Sequence, residues 1–238
     1  MTTAREATIA VVVIGDGRDD YLQRCVGSFT QLDGPITEKW MYDDTGDQAY
    51  RDSLGLRYPG FWHINGGPRR GCAGAFQEVW RQVRQDTAAR FVLLVEQDFV
   101  FQRPIDLYSM ADLLDDRPYL AEVALRRQAW NSEEVSAGGV VELHPDWYRD
   151  MRDDAGRQWL EQRAFFTTNC PLFRTTLLDV PWPDSRPGRY SEGTFHHHLM
   201  AHGTPEVPGD QVTYAYWGAR TSGVWVEHIG QQRIGTGY

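Results

Sequence analysis

Apolar and polar positions follow two alternating patterns along the first half of the chain. Residues 7–14 and 91–95 are nearly continuous apolar runs, which is typical of strands buried on both faces of a sheet. Other segments carry apolar side chains at helical spacing, which is typical of helices that bury one face. The two patterns predict strands at residues 7–14, 39–42, 61–64 and 91–95 and helices at residues 19–29 and 72–83.

Strands that alternate with helices over short connections are typical of a parallel sheet covered by helices. Ligands of such sheets bind beyond the carboxyl ends of the strands. In this chain polar or glycine-rich segments follow the strands, at residues 15–17, 43–44, 65–67 and 96–98. We therefore predict an α/β fold with a mostly parallel central sheet flanked by helices and a ligand site at one edge. The length of 238 residues fits a single domain over residues 1–238.

The second half of the chain is less regular. Its hydrophobic pattern predicts a helix that ends in a histidine-rich segment, and a terminal strand after a long irregular region. The predicted elements are strands at residues 120–125, 164–168 and 224–227, helical turns at 173–178, a helix at 194–202, and loops at 131–139 and 180–188.

The charge and composition of the chain limit its partners. It carries 33 acidic and 24 basic side chains, and neither half is net basic, which disfavours a broad surface for duplex nucleic acid. No apolar run reaches the roughly 18 residues that a membrane span needs, and the N-terminal segment does not resemble a signal peptide. Three widely spaced cysteines fit a reducing compartment. The sequence thus predicts a cytoplasmic protein without a membrane span.

Two acidic segments follow predicted strands. Glu96 and Asp98 stand at the end of the strand at residues 91–95, where two carboxylates can hold a divalent cation; a solvated acidic turn is the alternative. Asp43 begins the acidic turn at residues 43–47, which can bind a base or a ribose hydroxyl, or cap the next helix. On the residues alone we favour the cation site for the first segment and the cap for the second.

Arginine is the candidate for any cationic contact to phosphate, because Lys39 is the only lysine. Residues 66–74 are glycine-rich and lead into a predicted helix, whose N-terminal N–H groups attract phosphate. Arg69 and Arg70 are the candidates to clamp a diphosphate there. The segment has neither the Walker A spacing nor the GxGxxG spacing, so a plain helix-entry loop is the alternative.

Histidines cluster at residues 196–198, and His202 follows one turn later. The HExxH pattern of metalloproteases is absent, and three adjacent histidines point in three directions on a helix. We therefore interpret most of these histidines as surface residues or core packing. His228 follows an apolar run, and Glu192 lies in a polar segment before the histidine-rich helix; neither residue indicates a function by itself.

Taken in chain order, these segments resemble a glycosyltransferase of the GT-A fold, most like family 2. The segment YLQRCV at residues 21–26 is similar to the family's YLxRCLxS helix, and YDDTGD at 42–47 is similar to its VDDGSTD turn. EQD at residues 96–98 stands where the family has its DxD motif. Further similarities are GCAGA at 71–75, NCPLFR at 169–174, SEG at 191–193 before a helix that ends in AHG at 201–203, and His228 as the C-terminal metal histidine.

The resemblance implies a metal-dependent, inverting transfer of a sugar from a nucleotide-diphosphate sugar, with a UDP-sugar as the expected donor, to an acceptor hydroxyl. It also implies a nucleotide-sugar-binding half at residues 1–100 and an acceptor-binding half at residues 101–238. The implied roles are Gly15 and Asp16 near the nucleotide, Asp43 at the base, Arg70 at the diphosphate, Glu96 near the ribose or donor sugar, Asp98 and His228 as ligands of Mn²⁺ or Mg²⁺, and Glu192 as general base.

The chain departs from the family pattern at two positions. Glu96 replaces the first aspartate of DxD, and Gly193 replaces the second carboxylate of the ED pair that begins at Glu192. These departures leave open a catalytically weak nucleotide-sugar-binding module. If Glu192 lay away from the acceptor, a retaining mechanism would also be possible.

A second alternative is a nucleotidyltransferase-like enzyme or a metal hydrolase on a similar sheet. Such an enzyme would use Asp98, His228 and the histidine cluster, but residues 15–20 lack the lysine that nucleotidyltransferase loops usually carry. The acceptor of a glycosyltransferase is left open by the sequence: a sugar, a lipid head group, a protein side chain and a modified nucleobase all remain candidates.

Overall fold

The strands of this protein are organised around one large sheet. The structure is a computed structural model, which describes residues 6–183 and 191–230. The strands in these residues are Ile9–Gly15 (β1), Leu32–Asp33 (β2), Ile36–Asp43 (β3), His63–Gly66 (β4), Phe91–Glu96 (β5), Phe99–Phe101 (β6), Ile105–Asp106 (β7), Leu120–Ala124 (β8), Arg149–Arg152 (β9), Gln158–Gln162 (β10), Leu172–Arg174 (β11), Thr213–Trp217 (β12) and Val226–His228 (β13).

The helices connect and cover the strands. None of those in the described residues is long and apolar enough to cross a membrane. They are Asp19–Gly27 (α1), Gln48–Arg57 (α2), Gly71–Asp86 (α3), Leu107–Asp116 (α4), Ser132–Ala137 (α5), Val140–Leu143 (α6) and Ser191–His202 (α7), with 3₁₀ turns at Ser28–Gln31, Pro145–Trp147, Thr175–Asp179, Gly209–Gln211 and Arg220–Ser222.

The large sheet has nine strands in the order β4-β3-β1-β5-β11-β8-β12-β10-β9. The four strands from the first half, β4, β3, β1 and β5, are parallel to one another. β11 runs antiparallel to both β5 and β8, and β10 runs antiparallel to both β12 and β9. The predicted α/β fold with a central sheet flanked by helices is confirmed, and the sheet as a whole is mixed.

Side chains of β1 alternate between two hydrophobic clusters, one on each face of the sheet, as successive residues of a strand do. One cluster joins β1 to α1 and α4, through Leu22 and Met110. The other joins β1 to α3 and α7, through Phe76 and Phe195. Because both faces are covered, every residue of β1 is buried, and this explains its continuous apolar sequence.

The elements predicted for the first half are confirmed, with shifts of a few residues at their ends, whereas α4 and the short strands β2, β6 and β7 were not predicted. The predicted helix at 19–29 ends earlier, and a 3₁₀ turn continues it. The acidic turn after β3 caps α2, because Asp47 Oδ1 accepts hydrogen bonds from Ala49 N at 2.8 Å and Tyr50 N at 3.2 Å. This capping interaction is the alternative that the residues alone favoured.

The second half differs more from its prediction. The strand at 120–125, the helix at 194–202 and the terminal strand are confirmed as β8, α7 and β13. Residues 164–168 form an irregular segment, and the predicted loop at 131–139 contains α5, which Asn131 caps. The helical turns predicted at 173–178 are β11 followed by a 3₁₀ turn, and β9, β10 and β12 were not predicted. Of the predicted loop at 180–188, residues 184–188 lie outside the described residues.

Candidate active site

The predicted ligand edge forms a cleft at the carboxyl ends of β1 and β5. The cleft encloses about 270 Å³ of space, part of it open to solvent, and its lining includes Gly15, Asp16, Arg18 and Glu96. The two strand ends meet because Ile14 is in register with Glu96 in the parallel pair β1–β5. Three residues that the resemblance assigned to the donor, Gly15, Asp16 and Glu96, therefore line one cleft.

Gly15 allows the end of β1 to lie close to its neighbours. A Cβ atom at this position would come within 2.9 Å of Gln97 Oε1. The Gly15 carbonyl accepts a hydrogen bond from Asp44 N at 2.8 Å, and Gln97 N donates to the Ile14 carbonyl at 2.9 Å. These contacts join the end of β1 to the segments that follow β3 and β5, and a side chain at Gly15 would displace the side-chain amide of Gln97 from its place beside the cleft.

Asp98 and His228 come together although they lie far apart in the sequence. Asp98 precedes β6, which pairs antiparallel with β13 so that Phe99 faces His228. His228 Nε2 lies 3.3 Å from Asp98 Oδ2. The imidazole packs against the Phe99 ring at 4.7 Å and the Trp130 ring at 4.0 Å between centroids. Gln128 holds the His228 backbone with hydrogen bonds of 2.8 and 2.9 Å.

Arg18 is the cation nearest to this pair, and the sequence analysis did not single it out. Its guanidinium lies 2.8 Å from Asp16 Oδ1 and 3.2 Å from Asp98 Oδ2. Burial opposes ionisation of Asp98, but the hydrogen bond from His228 and the charges of His228 and Arg18 prevail and lower the pKa of Asp98. The position of Arg18, three residues beyond the end of β1, was the available clue.

The carboxylate of Asp98 and the imidazole of His228 fit a divalent cation that takes its other ligands from a substrate. In the described part of the chain, no group of three or more His, Cys, Asp or Glu side chains is placed to hold a metal ion. Asp98 Oδ1 is buried without a hydrogen-bond partner, so this carboxylate has an oxygen available for coordination. Mg²⁺ commonly binds through one or two carboxylates together with substrate phosphates, and Mn²⁺ also accepts carboxylate ligands.

Glu192 and Glu96 meet at the hydroxyl of Thr168. Thr168 Oγ1 lies 2.8 Å from Glu96 Oε1 and 2.7 Å from Glu192 Oε1, and Thr168 N donates to the same Glu192 oxygen at 2.6 Å. Burial raises the pKa of Glu96, and the negative charges of Asp98 and Glu192 raise it further. Glu192 lies in the first turn of α7, so the helix brings a carboxylate from the second half to the end of β5.

Asp43 is buried and already paired within the protein. Its carboxylate accepts hydrogen bonds from Thr45 N at 3.0 Å and Thr45 Oγ1 at 2.9 Å, and Arg51 Nη2 lies 3.2 Å away. Its neighbour Asp44 accepts hydrogen bonds of 2.8 Å from the backbone N–H groups of Arg70 and Gly71 and thereby fixes the start of α3. The contact of Asp43 with a nucleotide base stays a prediction.

The side chain of Arg70 lies along α3. Its guanidinium is 3.8 Å from the carboxylate of Glu78 and about half exposed. Arg18, by contrast, touches Asp98 and lines the cleft. The contact of Arg70 with a diphosphate stays a prediction, and Arg18 joins it as a candidate for the same role.

The histidine cluster lies on α7. His196 is buried, and its Nδ1 lies 3.0 Å from the hydroxyl of Tyr214. The rings of His198 and His202 lie 4.6 Å apart on the same helix. His196 thus packs in the core, while His197 and His202 are exposed, which fits the interpretation of the cluster as surface residues and core packing.

Glu122 in β8 is a buried carboxyl group beneath the site. Its Oε1 accepts a hydrogen bond from Thr167 N at 2.9 Å, while Oε2 is buried without a partner. Burial raises the pKa of Glu122 well above its usual range, and the charge of Glu192 adds to this effect. The neutral carboxyl is therefore the form that the fold favours.

We expect Glu122→Gln to make the protein less sensitive to alkaline pH. The folded state keeps the Glu122 proton at pH values where the unfolded chain has lost it, so the stability of the wild type falls as pH rises above about 4.3, by at most about 1.4 kcal/mol per pH unit from this group. The glutamine side chain does not titrate and keeps an oxygen for Thr167 N. The melting temperature of the variant relative to wild type should therefore increase between pH 5 and pH 8.

The matched control for this measurement is Glu133→Gln, which changes an exposed glutamate in the first turn of α5. Its melting temperature should follow that of the wild type at every pH. Parallel curves for Glu122→Gln and wild type would show that Glu122 is ionised in the folded protein.

Comparison with solved structures shows that the fold is similar to the GT-A fold of glycosyltransferases. Among solved structures, the chain is similar to Staphylococcus aureus TarS. It matches the crystal structure of TarS residues 1–349 with a TM-score of 0.58 and 13% identity, over 93% of this chain and 60% of that one. For TarS with UDP the TM-score is 0.57, at 14% identity over 92% and 60% of the two chains.

The match to TarS in complex with UDP-GlcNAc has a TM-score of 0.55 and 15% identity, over 95% of this chain and 62% of the other. The chain thus spans about 60% of the length of the TarS 1–349 structures, and 36% of a longer TarS structure that it also matches. No known family model matches the sequence, and a search of curated proteins gives no match. At this level of identity the likeness establishes the fold.

Proposed function

We propose that this protein is a glycosyltransferase that moves a sugar from a UDP-sugar to an acceptor hydroxyl. The observation that carries the proposal is that the cleft-lining residues Arg18 and Glu96 connect to two further groups: Arg18 to the Asp98–His228 pair, and Glu96 through Thr168 to Glu192. The similar TarS structures were crystallised with UDP and UDP-GlcNAc, which supports a donor of this class. The expected reaction class is hexosyl transfer.

The donor side of the site is built mostly from the first half of the chain. Gly15 and Asp16 line the cleft where the nucleotide is expected, and Arg18 lies between Asp16 and Asp98, where it can contact a diphosphate. A Mn²⁺ or Mg²⁺ ion held by Asp98 and His228 would offset the negative charge of the departing UDP. Glu96, at the inner end of the cleft, is placed to face the ribose or the donor sugar.

The acceptor side depends on Glu192 from the second half of the chain. Both hydrogen bonds from Thr168 fall on its Oε1 atom, which leaves Oε2 for the acceptor hydroxyl. We infer that Glu192 removes the proton from that hydroxyl as the oxygen attacks the anomeric carbon from the side opposite the diphosphate. Attack from the side opposite the leaving group inverts the anomeric configuration.

Ligand-induced stabilisation tests the proposed donor. We expect UDP and UDP-sugars with Mn²⁺ to raise the melting temperature more than GDP- or dTDP-sugars at the same concentration, because only bound ligand stabilises the folded state. A ligand at a hundred times its dissociation constant adds about 2.7 kcal/mol. If no nucleotide or nucleotide sugar in the panel shifts the melting temperature, the proposed function is wrong.

A further inference from the structure

Thr168 lies between two carboxylates that come from different parts of the fold. Glu96 ends β5 on the donor side of the cleft, and Glu192 begins α7 on the acceptor side. The Thr168 hydroxyl is within 2.8 Å of both. One hydroxyl hydrogen serves one acceptor at a time, but the backbone N–H of Thr168 also donates to Glu192, at 2.6 Å. Glu192 therefore stays anchored whichever carboxylate receives the hydroxyl hydrogen.

The segment that carries Thr168 is itself held at several points. Thr167 N donates to the buried Glu122 at 2.9 Å, and the Asn169 carbonyl accepts from Leu125 N at 3.0 Å. Cys170 N donates to the Thr168 carbonyl at 2.7 Å, which closes a tight turn. These bonds connect the segment to β8 on one side and place the Thr168 hydroxyl at the cleft on the other.

Cys170 shows that this turn is strained. Its φ angle is 47°, and among the described residues it is the only non-glycine residue with a positive φ. Such angles are uncommon for side-chain-bearing residues and persist where the surrounding structure imposes them. Cys170 is also completely buried, so its backbone cannot relax without displacing the core. The fold thus holds Thr168 rigidly in place.

We propose that Thr168 is a positioning residue for Glu192, which fixes the orientation of the base relative to the donor side of the cleft. This proposal rests on the proposed function, in which Glu192 is the general base. A glutamate side chain otherwise samples several rotamers. With Oε1 held by the backbone N–H of Thr168, and also by its hydroxyl when that hydrogen points to Glu192, Oε2 has a defined direction. A proton acceptor in a defined position accelerates the reaction.

The test compares Thr168→Val with Thr168→Ser in the release of UDP from UDP-GlcNAc, UDP-glucose and UDP-galactose, with water as the acceptor. Valine keeps the shape and the backbone N–H but lacks the hydroxyl, whereas serine restores it. We expect kcat of Thr168→Val to fall roughly 10- to 100-fold, as for the loss of a hydrogen bond to a charged group. KM for the UDP-sugar should stay within about twofold of wild type, and Thr168→Ser should recover most of kcat.

Thr167→Val is the matched control, because its hydroxyl contacts the backbone of the same segment and neither carboxylate. It should keep kcat close to that of the wild type. A Thr168→Val protein with wild-type kcat, a Thr168→Ser protein as slow as the valine variant, or an equal loss in Thr167→Val would overturn the inference. If the wild type releases no UDP from any of these sugars, the proposed function fails and this inference fails with it; a loss confined to Thr168→Val supports both.

Discussion

Replacing Glu192 with glutamine is expected to stop sugar transfer while UDP still binds. Glutamine has the same size and keeps an oxygen that can accept the hydrogen bond from Thr168 N, so the local structure should be preserved. Its amide cannot take a proton from an acceptor hydroxyl. Loss of general-base assistance typically costs about 10²- to 10⁴-fold in rate, and kcat for UDP release should fall by an amount in this range.

Two measurements separate this effect from misfolding. The dissociation constant of UDP, measured by calorimetry with Mn²⁺ present, should match that of the wild type, because the nucleotide is expected at the ends of β1 and β5 rather than beside α7. Glu133→Gln, an exposed change of the same chemistry, should retain full activity. UDP release by Glu192→Gln at the wild-type rate would exclude Glu192 as the base, and a product that retains the donor's anomeric configuration would exclude inversion.

Replacing Asp98 with asparagine is expected to abolish the stabilisation of the protein by UDP with Mn²⁺. Asp98 is the carboxylate that His228 and Arg18 approach, and its other oxygen is buried without a partner. Asparagine keeps the shape but loses the negative charge that would attract a divalent cation, and with it the ion that would bind the diphosphate next to Arg18. We expect the stabilisation of the protein by UDP with Mn²⁺, roughly 5–10 °C at a hundred times the dissociation constant, to disappear in Asp98→Asn.

The metal part of this prediction is checked by repeating the titration in EDTA. In the wild type, EDTA should reduce the stabilisation by UDP to the level of Asp98→Asn with Mn²⁺. Asp112→Asn, at an exposed position of α4, is the control and should respond to UDP and Mn²⁺ as the wild type does. If UDP stabilises the wild type equally with Mn²⁺ and with EDTA, the site does not use a divalent cation for donor binding.

The first half of the fold could be predicted from the sequence because its order is local. β1 and residues 91–95 of β5 form nearly continuous apolar runs, since both of their faces are covered by helices. The amphipathic pattern of α3 marks the face that packs on the sheet. The register of β1 with β5 then brings Gly15 and Glu96 to one edge, as expected for parallel strands. Periodicity and the rule for parallel sheets were sufficient for these elements.

The second half could not be predicted equally well, because its elements depend on long-range partners. β11 has three residues and is a strand because it fits antiparallel between β5 and β8. Residues 164–168 have the composition of a strand, but Thr167 and Thr168 pair with the carboxylates of Glu122 and Glu192 instead of a neighbouring strand. The interactions that override local propensity are thus made by residues distant in the sequence.

Arg18 and Arg70 illustrate the same difference within the site. Arg70 was the candidate for the diphosphate because it lies in the glycine-rich segment before α3. Its side chain instead lies beside Glu78, which is about two turns further along α3. Arg18 reaches Asp98, which is eighty residues away in the sequence. Hydrophobic periodicity carries no information about such contacts, because it describes which face of an element is buried and not which charged groups meet beyond its end.

The sequence by itself determined the α/β class and the parallel strands of the first half. It also determined that Gly15, Glu96 and Asp98 lie at or just after the ends of these strands. It did so because strands that are covered on both faces need apolar side chains, and such an apolar run is visible in the sequence. Only the tertiary structure decided that His228 meets Asp98 through β6 and β13, and that Glu192 meets Glu96 through Thr168. These contacts depend on strand pairing and on one strained turn. Both are stabilised by residues that lie far apart in the sequence.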